Sequence, residues 1–360
     1  MSDSIFFIGS DSPRDNAARL PTEKTLTRLV GDWGSRVGPG KVGRQPGPHE
    51  IVVRNRWFRV SVSTRTMIRE GAENIKGIPF PALNIGDTLA DGAIGEVVWA
   101  PPESGFQLGD LVSHALGWRE YATVAISGCA PLPDERIDPA AYLGHGATAY
   151  AALTGGVQVQ PGDTVFISSR AGAIGSMAGQ IARRLRAGHV VGSTGSRDKA
   201  AWMQAEQGYD AAVVRDSGPI AQQLAQAAPE GIDVFVDMVG GEQLRAAAAI
   251  AREGARFVLL GALTAEFDAD EAGMRAPVML DSFALIIKGV TVRGYSACVE
   301  DPGFIKEWLA RLAEWQRGSG MHLACSKFSG LENAPRALHE ACVGRLTGVV
   351  LVELGPIHPS

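Results

Sequence analysis

The pattern of apolar and polar positions divides the chain into two regions. Between residues 50 and 123, short apolar runs such as 51–53 and 57–62 are separated by Gly, Pro and Asp, which predicts a small β-barrel domain. From about residue 163 onward, apolar runs alternate with alanine-rich segments of helical periodicity. Alternating strands and helices are typical of a parallel sheet, so the second region predicts a doubly wound α/β domain.

The alternation continues towards the C-terminus. It predicts strands at 164–168, 190–191, 233–237, 256–260 and 290–292, and helices at 177–185, 200–207, 244–251 and 304–315. The last apolar run, 348–354, predicts a strand that could complete the parallel sheet or return to the N-terminal domain. Periodicity leaves both placements open.

Composition narrows the class of protein. The 360 residues are 45% hydrophobic and 20% charged, which is typical of a globular chain with a large core. A net charge of -5 argues against a nucleic-acid partner. Because no run of 18 apolar residues occurs, we expect no membrane-spanning helix. The four cysteines are far apart and form no C-x-x-C, so we expect neither a disulfide framework nor a zinc knuckle, and a cytoplasmic location.

Residues 168–176, SSRAGAIGS, follow an apolar strand and open a helix. Glycine in such a turn lets the backbone approach a pyrophosphate, and the helix N-terminus supplies free N–H groups. Gly172, Ala173, Ile174 and Gly175 are therefore candidate pyrophosphate-binding residues. The alternative is that the glycines only make a tight turn.

The second strand of the α/β region indicates which dinucleotide binds. NAD-binding sheets usually end this strand with an acidic residue that accepts the ribose hydroxyls. Small residues, including Ser193, stand there instead, and Arg197 and Lys199 follow within reach of a 2′-phosphate. The pattern predicts NADPH as the cofactor, whereas the alternative is that the two cations are a solvated helix N-terminus.

Several stretches together resemble a known family. These stretches are VRN (53–55), GWREYA (117–122), YLG (142–144), TAY (148–150), AGAIGS (171–176), GIDV (231–234), VGG (239–241), GAR (254–256) and LENAP (331–335). On these residues the chain is similar to the zinc-independent branch of the medium-chain dehydrogenase/reductases, which includes prostaglandin reductases, plant alkenal double-bond reductases and bacterial curcumin-reductase-like enzymes.

The resemblance implies a division into two domains. Residues 1–132 and 325–360 would form a GroES-like barrel domain, and residues 133–324 a Rossmann domain that binds NADPH. It also implies a homodimer formed through the Rossmann edge near residues 290–296. Family members reduce the carbon–carbon double bond of α,β-unsaturated aldehydes and ketones.

The resemblance also assigns roles to residues near the cofactor. It places Gly172, Ala173, Ile174 and Gly175 at the pyrophosphate, Lys199 at the 2′-phosphate, and Thr148, Val239 and Gly261 near the nicotinamide. Arg215 stands where relatives usually have a tyrosine beside the adenosine phosphate, and a cation there could strengthen the grip on the phosphate. Arg170 stands where relatives usually have alanine, as a second added cation or as a solvent-facing substitution.

The departures from the family concern the chemistry. Ser63 replaces an active-site tyrosine, Glu266 aligns with another tyrosine, and the loop that contains His145 is shortened. Tyr295, Glu266 and His145 are then the candidate proton donors. Alternatively, Tyr295 packs on the nicotinamide, Glu266 is a solvated loop residue and His145 caps a turn. Arg65 could stabilise an oxyanion or have a structural role. We regard Ser63, Arg65 and His145 as candidate substrate contacts.

These observations predict an NADPH-dependent ene reductase that acts on a small conjugated carbonyl compound, such as a biosynthetic intermediate. The alternatives are a quinone oxidoreductase and a retooled family member that catalyses a redox-neutral cyclisation or isomerisation. Because neither Cys-x-Thr-Asp nor Gly-His-Glu occurs, we expect no catalytic metal.

Overall fold

The computed structural model describes residues 46–68, 83, 88–132, 138–168, 172–263, 276–296, 302–317 and 320–355. The chain forms two compact units, of which the first comprises Met1–Leu143 with Cys325–Ser360 and the second Gly144–Ala324. The strands in chain order are β1 (Glu50–Arg59), β2 (Ala93–Trp99), β3 (Leu111–His114), β4 (Tyr121–Ala125), β5 (Ala130–Pro131), β6 (Thr164–Ile167), β7 (His189–Thr194), β8 (Ala211–Val214), β9 (Ile232–Asp237), β10 (Ala251–Leu259), β11 (Thr291–Gly294), β12 (Cys325–Ser329) and β13 (Val349–Glu353).

The α-helices in chain order are α1 (Thr64–Ile68), α2 (Pro139–Leu143), α3 (Gly146–Ala151), α4 (Gly175–Arg184), α5 (Arg197–Glu206), α6 (Ile220–Ala227), α7 (Gly241–Ala249), α8 (Ser282–Lys288), α9 (Pro302–Arg317) and α10 (Ala334–Cys342). A short π-helical turn, Ala152–Gly156, extends α3. No helix in the described ranges is both long enough and apolar enough to cross a membrane.

The first unit is built on one seven-stranded sheet. Its strand order is β12-β13-β1-β2-β3-β5, and β4 pairs with β1. The last strand, β13, runs antiparallel to β1 and pairs Trp57 with Glu353, so the apolar run near residue 350 returns to the N-terminal region. Within the described residues the end strands β12 and β5 each have a single neighbour, so the predicted barrel stays a prediction.

Aromatic and aliphatic side chains fill the core of the first unit. Phe58 and Trp118 are fully buried with ring centroids 5.6 Å apart, and Val352 and Leu338 pack in the same cluster. Asn55 is the buried polar residue of β1, and its amide donates to the carbonyl oxygens of Leu116 (3.0 Å) and Arg119 (2.8 Å). The β-rich pattern of residues 50–123 is confirmed as strands β1 to β4, although the runs 51–53 and 57–62 belong to one strand, β1, which ends at Arg59.

The second unit contains a six-stranded parallel sheet with the order β11-β10-β9-β6-β7-β8. Read from the other edge in sequence order, this is the 3-2-1-4-5-6 arrangement of Rossmann domains, in which the strand order reverses between the first and fourth strands. Phe166 and Phe235 stack in its core at 4.9 Å, and Phe257 meets Phe235 edge-on at 5.4 Å. The doubly wound α/β prediction is confirmed for this unit.

The predicted helices are found with ends shifted by one to three residues, and one of these shifts has a clear physical reason. The helix predicted over 244–251 ends at Ala249, and Ala251 is the first residue of β10, where it pairs with Ile232. Four consecutive alanines carry strong helical propensity to the end of α7, but they give no signal for the end of the helix. Pairing with the neighbouring strand decides where β10 begins.

Candidate cofactor-binding site

The residues proposed to bind the cofactor follow the C-terminal ends of neighbouring parallel strands. Strand β6 leads to residues 172–175, here called the glycine turn. Lys199 follows β7 and Arg215 follows β8. Val239 follows β9 and Gly261 follows β10. Since parallel strands end at a common edge, the topology brings these residues together where the strand order reverses, which is the edge at which open α/β sheets bind ligands.

The glycine turn leads directly into α4. Gly172 accepts a hydrogen bond from the amide of Ser176 (2.9 Å), and no side chain caps the first turn of the helix, whose N-cap residue is Ile174. No described atom lies within 4 Å of the position that a Cβ of Gly172 would occupy. The turn therefore presents backbone to open space, as a phosphate-binding turn requires. Arg170 lies outside the described residues.

A buried tyrosine fixes α4 against the sheet. The Tyr209 hydroxyl donates to the carbonyl oxygen of Gly175 at 2.6 Å, and burial raises its pKa. A Cβ at Gly179 of α4 would lie 2.7 Å from both Tyr209 Cζ and the Gln207 carbonyl oxygen, and a Cβ at Gly192 of β7 would lie 2.7 Å from Tyr209 Cε1. Two glycines thus make room for the ring. Sequence reasoning missed Tyr209, because its partners are remote in the chain.

The end of β7 carries two cations and several hydroxyl groups. Ser196 caps α5 by accepting a hydrogen bond from the amide of Lys199 (3.3 Å). Arg215 approaches from β8, and its Nη2 lies 2.8 Å from the position of a Cβ at Gly195. The Ser193 hydroxyl donates to Gln243 Oε1 at 2.6 Å in a buried contact. Sequence reasoning missed Gln243, which lies on α7, 50 residues away in the chain.

A buried carboxylate stands at the next strand end. Asp237 closes β9 and is 1% exposed. Burial raises the pKa of this carboxyl group, while hydrogen bonds from Gly240, Ser168 and Val239 act in the opposite direction. The residue was missed because a polar residue at the end of an apolar strand has no distinct local pattern. Tyr295 follows β11 on the same edge, and its amide donates to the Leu259 carbonyl oxygen at 2.9 Å.

Two further candidates lie at the start of α3. His145 is the N-cap residue, and its carbonyl oxygen accepts the amide of Ala149 at 3.0 Å. Thr148 is 7% exposed, on a helix that packs against α4 and α9. Close packing with α9 is possible because residue 146 is glycine, where a Cβ would collide with Trp308. Both candidates belong to the second unit.

Ser63 and Arg65 lie in the first unit, where they flank Thr64 at the start of α1. The amide of Arg65 donates to the Val62 carbonyl oxygen at 3.0 Å. Both side chains are half-buried. Glu266 lies outside the described residues. In the part of the chain that the structure describes, no three His, Cys, Asp or Glu side chains are grouped so that they could hold a metal ion.

Comparison with known proteins adds an independent line of observation. Residues 173–314 match the family described as zinc-binding dehydrogenase, and residues 41–132 match the N-terminal domain of oxidoreductase. A Bacillus subtilis protein named as an NADP-dependent oxidoreductase, YfmJ, is 30% identical over 318 residues, which cover 86% of this chain and 90% of that protein. The NADPH-dependent curcumin reductase of Escherichia coli is 27% identical, covering 76% of this chain and 80% of the reductase.

Solved structures agree with the fold. The crystal structure of CurA from Vibrio vulnificus in complex with NADPH superposes with a TM-score of 0.76 at 24% identity, covering 87% of this chain and 92% of CurA. At this level of identity the likeness concerns the fold. The fold of this chain is therefore similar to that of CurA.

Proposed function

Because the chain belongs to the branch of the medium-chain dehydrogenase/reductase superfamily that includes curcumin, alkenal and prostaglandin reductases, we propose that it is an NADPH-dependent ene reductase. Its substrates are small α,β-unsaturated aldehydes or ketones. The observation that carries the proposal is that an open glycine turn, Lys199 and Arg215 follow neighbouring strand ends at the edge where the strand order reverses. The names of the relatives agree, since a 2-alkenal reductase of Nicotiana tabacum is 27% identical over 315 residues.

The residues at this edge fit a dinucleotide. The glycine turn from Gly172 to Gly175 and the uncapped first turn of α4 would hold the pyrophosphate. Thr194, the last residue of β7, has a buried hydroxyl without a hydrogen-bond partner among the described residues, which is a polar group that a bound ligand could satisfy. Val239, Gly261 and Thr148 are the proposed residues on the nicotinamide side.

The preference for NADPH over NADH follows from charge. Strand β7 does not end in an acidic residue. A carboxylate at that position would accept hydrogen bonds from the two ribose hydroxyls of NADH and would repel the 2′-phosphate of NADPH. Lys199 and Arg215 supply positive charge instead, and Arg215 packs on the backbone of Gly195 at the end of this strand. Charge-assisted hydrogen bonds to phosphate are about twice as strong as neutral ones.

The reaction also needs a proton for the α-carbon of the substrate. When bound, the reduced nicotinamide supplies the hydride. Tyr295 is the proposed proton donor, because it stands at the end of β11 on the edge that carries Val239 and Gly261. A positioned general acid typically contributes about 10²- to 10⁴-fold in rate. Tyr295→Phe should then lower kcat at an unchanged KM for NADPH, whereas an unchanged kcat would exclude this role.

The test uses the purified full chain with NADPH that carries deuterium at the transferred position. Consumption of NADPH is followed with 2-alkenals, cyclic enones and quinones, and the products are analysed by mass spectrometry and NMR. Deuterium at the β-carbon of a saturated carbonyl product supports the proposal. Turnover of quinones alone would reassign the protein as a quinone reductase, and product formed without loss of NADPH would indicate a redox-neutral reaction.

We also propose the architecture that the resemblance implies. The first unit would be a GroES-like barrel, which is supported by the pairing of β13 with β1 and of β12 with β13. The second unit would form a homodimer through its outer edge. Strand β11 has a free edge in the described sheet, and the neighbouring α8 exposes Phe283 (71%), Ile286 (73%) and Ile287 (66%). Exposed apolar side chains beside an unpaired strand edge are typical of a surface that a second copy covers.

A further inference from the structure

Three neighbouring strand ends are joined through one residue, Asp237. Its Oδ1 atom accepts hydrogen bonds from the Ser168 hydroxyl (2.6 Å), the Val239 amide (2.9 Å) and the Gly240 amide (2.9 Å). Its backbone carbonyl oxygen accepts the amides of Leu260 (2.7 Å) and Gly261 (3.2 Å). Asp237 therefore connects the ends of β6, β9 and β10, which are adjacent in the sheet.

Each connected segment leads to residues proposed to bind the cofactor. Ser168 precedes Gly172 of the glycine turn by four residues, Val239 is proposed to lie beside the nicotinamide, and Gly261 follows β10 at the same edge. The Ser168 hydroxyl also accepts the amide of Met238 at 2.8 Å, so the end of β6 is tied to the β9 loop at two points. A shift in one segment would therefore be passed to the other two.

The glycines after Val239 make this arrangement possible. Gly240 has φ 75° and Gly241 has φ 57°, a backbone conformation that other residues adopt at a cost. The chain can thus turn back so that two successive amides point to one carboxylate oxygen before α7 begins at Gly241. The VGG motif (239–241) therefore supplies hydrogen bonds to Asp237 in addition to its proposed contact with the cofactor.

We infer that Asp237 is a positioning residue, whose side chain fixes the end of β6 and the loop after β9 relative to each other so that the nicotinamide end of the cofactor is held in one place. The inference rests on the proposed function, since it assumes that these loops bind NADPH. Its side chain acts through Ser168, Val239 and Gly240, and it need not touch the cofactor itself. It differs in this respect from Lys199 and Arg215, which are proposed to bind the adenosine end.

The test compares two ligands that share the adenosine end. Binding of NADPH and of adenosine 2′,5′-bisphosphate, which lacks the nicotinamide, is measured by calorimetry for the wild type, Asp237→Ala and Asp237→Asn. Asp237→Ala should weaken NADPH about tenfold more than the bisphosphate, because the three hydrogen bonds to Oδ1 are lost while those to the backbone carbonyl remain. Asp237→Asn keeps an acceptor oxygen and should recover most of the NADPH affinity.

The matched control is Asp233→Ala, at the opposite end of the same strand. Asp233 accepts a hydrogen bond from the amide of Thr164 at 2.8 Å and forms an ion pair with Arg252 at 3.1 Å. Loss of its carboxylate therefore also disturbs β9, but at the end of the strand that is remote from the proposed cofactor site. It should change neither affinity. If Asp237→Ala does not fold, Ser168→Ala removes one of the three donors and should show a smaller loss with the same selectivity for NADPH.

The outcomes separate the inference from the proposed function. Equal losses for the two ligands, or a loss of the same size in Asp233→Ala, would overturn the positioning role. A wild-type chain that binds neither ligand would overturn the proposed function instead. The fluorescence of bound NADPH gives a second readout, because a mobile nicotinamide in Asp237→Ala should give a weaker emission change than in the wild type.

Discussion

Replacing Gly179 by alanine should destabilise the second unit, although alanine is the better helix former. Gly179 lies in the middle of α4, where Gly→Ala alone would stabilise by roughly 0.5–1 kcal/mol. The added Cβ would lie 2.7 Å from Tyr209 Cζ and 2.7 Å from the carbonyl oxygen of Gln207. The second contact is with backbone, so the strain is not relieved by turning a side chain.

The expected size follows from these two effects. Overpacking a filled core costs about 1–3 kcal/mol, and the gain in helix propensity offsets about 0.5–1 kcal/mol of it, so the net loss is at most about 2.5 kcal/mol. For a unit of this size, about 2–4 °C of Tm corresponds to each kcal/mol, so Tm should fall by up to about 10 °C. Because Tyr209 also holds Gly175 at the glycine turn, affinity for NADPH should fall with it.

Calorimetric unfolding and urea titration measure the change directly. The matched control is Gly128→Ala, where the nearest atom would be Val124 Cγ1 at 3.8 Å, an ordinary contact, and where Tm should change by less than about 2 °C. Tyr209→Phe separates the lost hydrogen bond to Gly175 from the packing. An increase in the Tm of Gly179→Ala, as helix propensity alone predicts, would refute the packing argument.

Three further predictions concern charge, pH and assembly. Lys199→Ala combined with Arg215→Ala should lower the affinity for NADPH at least about tenfold and leave the affinity for NADH unchanged within about twofold, because only NADPH carries the 2′-phosphate. Equal losses of affinity, measured by calorimetry, would show that these two residues do not bind the 2′-phosphate. Burial, with a smaller effect from Arg119, lowers the pKa of His114 to about 4. Between about pH 6.5 and 4 the unfolded chain therefore binds a proton that the folded chain excludes, and the free energy of unfolding should fall as the pH decreases. His114→Asn should lose this pH-dependent part of the free energy of unfolding, roughly 3 kcal/mol by the size of the shift, in urea titrations across that range. A pH dependence equal to that of the wild type would contradict this prediction. Phe283→Asp with Ile287→Asp should convert a dimer to a monomer in sedimentation with NADPH binding retained, and a monomeric wild type would exclude the proposed interface.

Local patterns predicted much of the second unit. The strands near residues 165 and 235 and the helix after Gly175 are found where periodicity placed them, because each depends on its own apolar spacing. The strand near residue 350 was found but could not be assigned to a sheet. Its partner β1 lies about 300 residues away in the chain, and pairing over that distance leaves no local signature.

The candidate site shows the same division between residues that local sequence patterns indicate and residues that only the structure identifies. The glycine turn and Lys199 could be proposed from sequence because a strand-turn-helix context gives them meaning. Tyr209 and Gln243 could not, since each acts through a partner that only the fold brings near. Asp237 could not either, because its contact with Ser168 joins strands that are 69 residues apart in the chain. Sequence reasoning therefore proposes residues that would contact the ligand, and the structure adds those that hold them in position.

The central claim is that the edge where the sheet order reverses binds NADPH. Calorimetric titration of the full chain with NADPH and, separately, with NADH tests it most directly. The account predicts saturable binding of NADPH with one site per chain and an affinity at least about tenfold above that for NADH, which corresponds to about 1.4 kcal/mol. Equal affinities, or no binding of either dinucleotide, would contradict it.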